Sequence, residues 1–290
     1  MSSLPKAGDF LGHPKGLFLL FGTEMWERFG YYGMRAILVL YLVALVQEGG
    51  FGWSNADALS LYGTFTMAVY ITPLFGGWLA DNVLGQRKAI ILGGLLMAAG
   101  HFTMGVPHSY LAGQEENVFY IGLTLLCLGN GLFKPNISTM VGDLYKEGDQ
   151  RRDGAFTIFY MGINLGGALG PLVAGYAAAA MGWQWGFIVA GVGMVISVLL
   201  QLALSNKYLG EIGVVPSAKL SQAQSESNTK EPLTKVETDR IKVIFTMSVF
   251  SIIFWMGFEQ AGGLMKLFAN EYTDSMLFNI EVPAYWFQSL

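Results

Sequence analysis

The stretch Gly77-Trp-Leu-Ala-Asp81-Asn82-Val-Leu-Gly85-Gln-Arg87-Lys88 joins two long apolar segments of the chain, residues 56–80 and 88–106. Its glycines permit a tight turn, and that turn holds one acidic and two basic side chains near the ends of two helices. Ion pairs and helix dipoles at such a turn can latch one face of a helical bundle. The simpler alternative is that Arg87 and Lys88 only anchor the turn beside a membrane.

The composition of the chain is that of an integral membrane protein. Of its 290 residues, 53% are hydrophobic and 13% are charged, whereas a soluble domain has about 25% charged residues. The three histidines lack the spacing of metal ligands, so the sequence predicts no metal site. A bilayer is crossed by about 20 helical residues, and segments of this length occur at 17–46, 56–80, 88–106, 118–144, 155–180, 184–205 and 241–270.

The loops between these segments are strongly asymmetric in charge. If residue 1 is cytoplasmic, thirteen lysines and arginines fall on the inner side and none on the outer side. The positive-inside rule therefore predicts a multi-pass membrane protein with a cytoplasmic N-terminus. Membrane lipid is its expected surrounding, and nucleic acid is not an expected partner.

The pattern also predicts three regions. Residues 1–205 form a six-helix transmembrane bundle, residues 206–240 a polar cytoplasmic linker, and residues 241–290 a seventh transmembrane helix with the start of a second bundle. The apolar stretch at 282–290 resembles the opening of an eighth helix. Because the number of spans is odd, we expect the chain to be a fragment of a longer protein.

The first predicted span carries charge at a depth where a bilayer disfavours it. Four charged residues lie within 17–46, and each costs about 3 kcal/mol on insertion scales. At about 100° per residue, the polar positions share one arc of less than half the helix circumference. One polar face is therefore predicted to look into the bundle. It consists of Glu24, Glu27, Arg28, Tyr31, Tyr32 and Arg35.

Several motifs resemble known families. The loop at 77–88 matches, position for position, the pattern G-x-x-x-D-x-x-x-G-x-R-[RK] of the major facilitator superfamily. Within it, the chain resembles the proton-dependent oligopeptide transporter (POT) family from residue 17 onward. The motifs are E-x-x-E-R-F-x-Y-Y-G at 24–33, GNGLFKPN at 129–136, F-Y-x-x-I-N-x-G at 159–166 and FEQAG at 258–262. The resemblance implies an all-α integral membrane protein with the major facilitator fold, located in the plasma (inner) membrane of a bacterium.

The resemblance to the POT family also implies roles for individual residues. Proton coupling would involve Glu24, Glu27, Arg28 and Lys134. The peptide would be bound by Arg28, Tyr31, Tyr32, Arg35, Tyr70, Lys134, Tyr160 and Asn164. The outer gate would consist of Arg35 and Glu259, and the cytoplasmic loop motif of Asp81, Arg87 and Lys88.

Other interpretations of these residues remain open. The charges of the first span can form a static ion-pair network that only fixes helix packing. Lys134 can extend toward the headgroups, each tyrosine can be a packing residue, and Arg35 can line the peptide site without acting as a gate. Lys266 belongs to no recognised motif, and a structural role is as well supported as a role in the outer vestibule.

The functional prediction is a proton-coupled symporter that imports di- and tripeptides by alternating access. No catalytic residue and no cofactor are predicted. The coupling ion is expected to be the proton. The alternatives are the same fold with another substrate, such as nitrate, a drug or a peptidomimetic, and a non-transporting membrane receptor. A membrane enzyme that uses the glutamates as acid and base is disfavoured, because no nucleophile motif, metal cluster or cofactor loop accompanies them. The sequence does not determine the oligomeric state.

Overall fold

Six long helices form a bundle over residues 15–209. In a computed structural model, which describes residues 9–219, 234–277 and 280–287, they follow the first six predicted spans to within a few residues. The helices are α1 (Lys15–Val43), α2 (Asn55–Leu79), α3 (Gln86–Met104), α4 (Glu115–Asp143), α5 (Arg151–Met181) and α6 (Trp183–Leu209). A π-helical turn, Ala80–Leu84, extends α2.

Helix α1 is the centre of this bundle. It packs against α5 and α6, while α3 packs against α4 and α6, and α2 against α4. Most residues of α1 are buried, including the four charged residues Glu24, Glu27, Arg28 and Arg35. The polar face predicted for the first span therefore does look inward.

Glycines allow α1 and α5 to approach closely. A Cβ atom at Gly166 would overlap the Met25 carbonyl of α1, and one at Gly170 would overlap the Phe29 carbonyl one turn later. Small residues at helix crossings let backbones come together in this way. The glycine-rich stretch at 166–170 therefore lies in close contact with α1.

Five helical segments of the described chain are long and apolar enough to cross a membrane. They are α2 with its π turn, α4, α5, α6 and the segment Lys235–Tyr272. The end of the bundle at which α1 begins is called the near end below, and the end at which α1 finishes is called the far end.

The seventh predicted span is helical but not continuous. Helix α7 (Lys235–Phe258) begins with a capping box, in which the side chains of Thr234 and Glu237 each accept a hydrogen bond from the other residue's backbone N–H. A 3-10 turn, Glu259–Gly262, then separates it from the short helix α8 (Leu264–Tyr272). The break falls at two adjacent glycines, which weaken a helix interior. The seventh predicted span, 241–270, lies within the membrane-length segment Lys235–Tyr272 that contains this break.

The residues after α8 do not begin an eighth helix in the described part of the chain. The two-residue strands β1 (Met276–Leu277) and β2 (Ile280–Glu281) pair antiparallel, and a 3-10 turn, Ala284–Trp286, follows them. The Tyr285 ring lies against Gly175 of α5. The apolar run at 282–287 thus packs on the six-helix bundle. Its hydrophobicity alone did not distinguish such a packed segment from the start of a membrane helix.

Helical residues reach into the predicted linker from both sides. Helix α6 continues to Leu209 and α7 already begins at Lys235, while residues 220–233 lie outside the described residues. The first part of the linker packs against the turn between α2 and α3, as described below.

Candidate functional site

Two buried acids and two cations meet in the middle of the bundle. Glu24 and Glu27 are 0% exposed on α1. The Arg28 guanidinium donates to both Glu27 oxygens, with Nη2 at 2.6 Å from Oε1. Its Nε lies 3.2 Å from Oε1 of Glu24, so one arginine joins the two carboxylates.

The second cation of this central cluster comes from α4. Lys134 Nζ donates to the same Oε1 of Glu24 at 2.9 Å. Its side chain is 34% exposed, whereas that of Arg28 is 7% exposed. Glu24 is therefore shared by a fixed arginine and a lysine that water can reach, and the cluster is balanced at two acids and two bases.

Aromatic rings surround the arginine of the cluster. The Arg28 guanidinium carbon lies 5.0 Å from the centre of the Tyr31 ring and 5.9 Å from that of Tyr32, which is cation–π distance. The Tyr32 ring borders Gly167 of α5. Asn164 and Tyr160, both exposed, precede Gly167 by three and seven residues and lie on the same face of that helix.

A second polar cluster lies toward the far end of α1. Arg35 Nη2 is 2.5 Å from Oε2 of Glu259, in the turn after α7. Arg35 Nε donates to the Tyr62 hydroxyl at 2.7 Å, and the Tyr70 hydroxyl donates to Oε1 of Glu259 at 3.0 Å. This far-end cluster ties the six-helix bundle to the second part of the chain.

The structure thus divides the predicted site residues into two groups. Tyr70, expected with the peptide-binding set, contacts Glu259 rather than the central cluster. Sequence reasoning missed Tyr62 as a partner of Arg35, and also Asn130, whose amide lies 3.5 Å from Oε1 of Glu27. A signal existed for Asn130, because it precedes Lys134 by one helical turn within the GNGLFKPN motif.

The turn between α2 and α3 docks on the end of α6. Arg87 donates to the Gly210 carbonyl and, at 3.2 Å, to Oδ1 of Asn206. The carboxylate of Asp81 accepts a hydrogen bond from the Ser217 hydroxyl at 3.1 Å. At the near end of the bundle, the loop motif therefore connects α2 and α3 to the end of α6 and to the residues that follow it.

Gly85 makes this docking possible. Its φ is +79°, and a Cβ atom there would lie 2.5 Å from the Val214 carbonyl oxygen. We expect Gly85→Ala to lower the thermal unfolding midpoint, because backbone strain alone costs about 1–3 kcal/mol and the residues around 214 must also move.

The matched control is Gly113→Ala, since Gly113 has φ +84° with nothing within 4 Å of a Cβ. A thermal scan of both variants in detergent separates the cost of backbone strain, which both share, from the cost of the contact with Val214, which only Gly85→Ala has. Equal midpoints would show that the contact with Val214 contributes nothing.

The three histidines lie in two kinds of surroundings. His13 and His108 contact tyrosine hydroxyls, those of Tyr145 at 2.8 Å and Tyr41 at 2.7 Å. His101 is buried beside Gly30 and Gly191. No group of three or more His, Cys, Asp or Glu residues that could hold a metal ion occurs within 9–219, 234–277 and 280–287.

Comparison with known proteins gives one consistent family. A family model described as the POT family matches residues 87–209. A peptide transporter of Yersinia enterocolitica is 36% identical over 100% of this chain and 66% of its own length. A di-/tripeptide transporter of Lactococcus lactis is 41% identical over 72% of this chain and 41% of its own length.

Solved structures show the same similarity. A crystal structure of a mutant of the peptide transporter POT in complex with sulfate matches with a TM-score of 0.85 at 35% identity, over 99% of this chain and 67% of that one. A complex of the same mutant with alafosfalin matches with a TM-score of 0.79 at 33% identity, over 98% and 66%. The chain spans about two thirds of the length of the Yersinia relative and of these structures.

Proposed function

The chain belongs to the POT family and has the major facilitator fold of its members, and on this premise we propose that it forms part of a proton-coupled symporter that imports di- and tripeptides by alternating access. The central cluster carries the proposal. It places two fully buried carboxylates beside a lysine whose side chain is 34% exposed. Buried ionisable residues within membrane spans mark ion and substrate pathways.

The proton step follows from the two bonds to Glu24. A carboxylate that loses a neighbouring cation binds a proton more readily. Lys134 is the partner that can leave, since water reaches it while Arg28 is held by Glu27. Protonation of Glu24 would free Lys134 for the carboxylate of a peptide, and release of the peptide would return Lys134 to Glu24.

Recognition would use the two ends of the peptide. A peptide carries a carboxylate and an ammonium group whatever its side chains are, so a site that reads the termini accepts many sequences. Arg28 and Lys134 would offer charge for the carboxylate. Tyr32 on α1 and Tyr160 and Asn164 on α5 would offer polar groups beside them. Broad tolerance of peptide side chains is the consequence.

The far-end cluster supports the conformational part of the proposal. With the near end in the cytoplasm, as the charge asymmetry favours, Arg35 and Glu259 lie toward the outside of a bacterial inner membrane. Their ion pair joins two parts of the chain that must separate for a peptide to enter from that side. The observed arrangement then corresponds to the outward-closed state.

The test is transport by the native polypeptide in proteoliposomes. We expect labelled dialanine to accumulate when an inward proton gradient is imposed, and only to equilibrate without one. Nitrate uptake in place of dialanine would favour the other-substrate alternative. Absence of uptake for both, with intact folding, would favour a receptor.

A further inference from the structure

A groove between α1 and α6 opens near the near end of the bundle, in a part of the molecule that neither cluster uses. It encloses about 300 Å³, which is within the range of ligand pockets. Helix α1 lines it with Phe18, Leu19 and Gly22, and helix α6 with Leu200 and Leu204. The side chains of these five residues carry no polar atom, so this part of the groove suits a hydrocarbon chain.

The segment before α1 forms a fixed wall of the groove. Phe10 lines it, and the Phe10 ring packs edge-on against Phe18 with the ring centres 4.9 Å apart. The backbones of Phe10 and His13 exchange two hydrogen bonds, at 2.8 and 3.0 Å. Arg151 holds the neighbouring Asp9 through an ion pair of 3.1 Å. The position of Phe10 is therefore fixed although the residue is 53% exposed.

The groove lies beside a face of α6 that suits contact with lipid. Val195, Leu199 and Leu202 of α6 are 36%, 56% and 54% exposed, and α6 is one of the helices long and apolar enough to cross a membrane. Exposed apolar side chains on such a helix are stable against lipid tails. The second part of the described chain packs against α1, α2 and α5, and this face of α6 is open in the described structure.

The polarity of the groove changes along the helix axis. Its polar lining residues, Lys15 and Tyr208, lie at the beginning of α1 and the end of α6. Gly22, seven residues after Lys15, is about 10 Å deeper at 1.5 Å per residue. The hydrocarbon half of one leaflet is about 15 Å thick. The groove thus runs from a charged surface into an apolar interior, as a phospholipid does.

The charge at the mouth of the groove is positive. Lys15 is exposed, and so is Lys207, whose Nζ lies 5.3 Å from the centre of the Tyr208 ring. Neither lysine forms an ion pair with a residue of 9–219, 234–277 or 280–287. Glu211, which follows α6, interacts with Arg87. Basic residues at a membrane surface attract anionic lipid headgroups, so the mouth is complementary to a negative headgroup.

Helix packing does not require the glycine at position 22. A Cβ atom there would meet only Cδ1 of Leu200, at 3.5 Å, which is ordinary van der Waals contact. At Gly166 and Gly170, by contrast, a Cβ atom would overlap the backbone of α1. The absence of a side chain at Gly22 therefore leaves the groove open instead of bringing two helices together.

We propose that this groove binds one anionic phospholipid, with an acyl chain between α1 and α6 and the headgroup phosphate beside Lys15. The site is separate from the central cluster, and its occupation requires neither peptide nor proton gradient. Retention of the lipid would follow from two contributions, burial of the acyl chain and attraction of the headgroup.

The test is native mass spectrometry of the delipidated native polypeptide, titrated with phosphatidylglycerol or with phosphatidylcholine of the same acyl chains. We expect the first phosphatidylglycerol to bind at least about fivefold more tightly than the first phosphatidylcholine. Lys15→Gln should weaken that first step by about fivefold. Gly22→Leu, which fills the apolar part of the groove, should weaken it by at least about tenfold, because several methylene groups lose their burial.

Each variant has a matched control. Ala203→Leu places the same side chain at a small exposed residue of α6 that does not line the groove. Lys146→Gln neutralises an exposed lysine in the turn after α4, at the same end of the bundle. Both controls should bind the first phosphatidylglycerol as the parent does. Lys15→Gln changes an exposed side chain, so its result decides the proposal even if Gly22→Leu lowers the thermal midpoint.

Three results would overturn the proposal. Equal binding of the two lipids, unaffected by Lys15→Gln, would show a groove that accepts any acyl chain without reading the headgroup. Equal losses in Lys15→Gln and Lys146→Gln would show attraction to the charged surface as a whole. A dimer of the parent that Gly22→Leu dissociates, with lipid binding unchanged, would identify a second copy of the chain as the occupant.

Discussion

Glu24→Gln is expected to abolish accumulation of dialanine driven by a proton gradient, reducing it by at least about tenfold. Glutamine keeps the size of the side chain and accepts hydrogen bonds from Arg28 and Lys134, but it neither binds nor releases the coupling proton. Exchange of peptide across equal concentrations should be retained to a greater extent, because it requires no net proton movement. The two modes are compared in the same proteoliposomes.

The matched control is Glu48→Gln, which neutralises an exposed carboxylate at the far end of the bundle. It should leave both modes of transport intact. Lys134→Ala should reproduce the Glu24→Gln phenotype, because it deprives a buried carboxylate of one of its cations. Equal loss of accumulation and exchange, or no loss of either, would contradict a coupling role and favour the static ion-pair network.

Arg35→Glu and Glu259→Arg are each expected to impair uptake strongly, and the double exchange to restore part of it. Each single change places two like charges where the structure has an ion pair at 2.5 Å. Removing one partner from a buried pair costs about 3–5 kcal/mol, whereas the exchanged pair can form again. Initial rates of dialanine uptake for the four proteins provide the measurement.

A second ion pair of the same chain provides the control. Lys242 and Asp239 of α7 form a contact of 3.2 Å, with side chains 71% and 55% exposed. Their exchange should change uptake little, since exposed pairs contribute about 0–1 kcal/mol. If the exchange of Arg35 and Glu259 restores nothing, Arg35 acts instead as a fixed part of the peptide site.

Much of the fold was predictable because it depends on local chemistry. The length and hydrophobicity of each segment were enough to identify the helices of the six-helix bundle, since a bilayer demands about 20 apolar residues per span. The break at Glu259–Gly262 and the packed turn at Ala284–Trp286 were not predicted. Both depend on how the second part of the chain packs against α1, α2 and α5, which hydrophobicity does not report.

The candidate site shows the same division. Helical periodicity alone places Glu24, Glu27 and Arg28 on one face of α1, because residues three and four apart in a helix are neighbours. The roles assigned to these residues stay predictions until the variants are measured. The far-end pairing of Arg35 with Glu259 was expected from family resemblance, and the structure brings the two residues together.

Composition, helical periodicity and motifs were thus enough to identify a helical membrane protein with a charged face on its first span and the motifs of a transporter family. The pairing of distant residues is seen only in the folded chain, where Lys134 donates to Glu24 across 110 residues and Lys266 donates to the Ala36 carbonyl across 230. The difference lies in how far apart along the chain the interacting residues are. Spacing along one helix is set by backbone geometry, whereas contacts between helices depend on side-chain packing along their whole length.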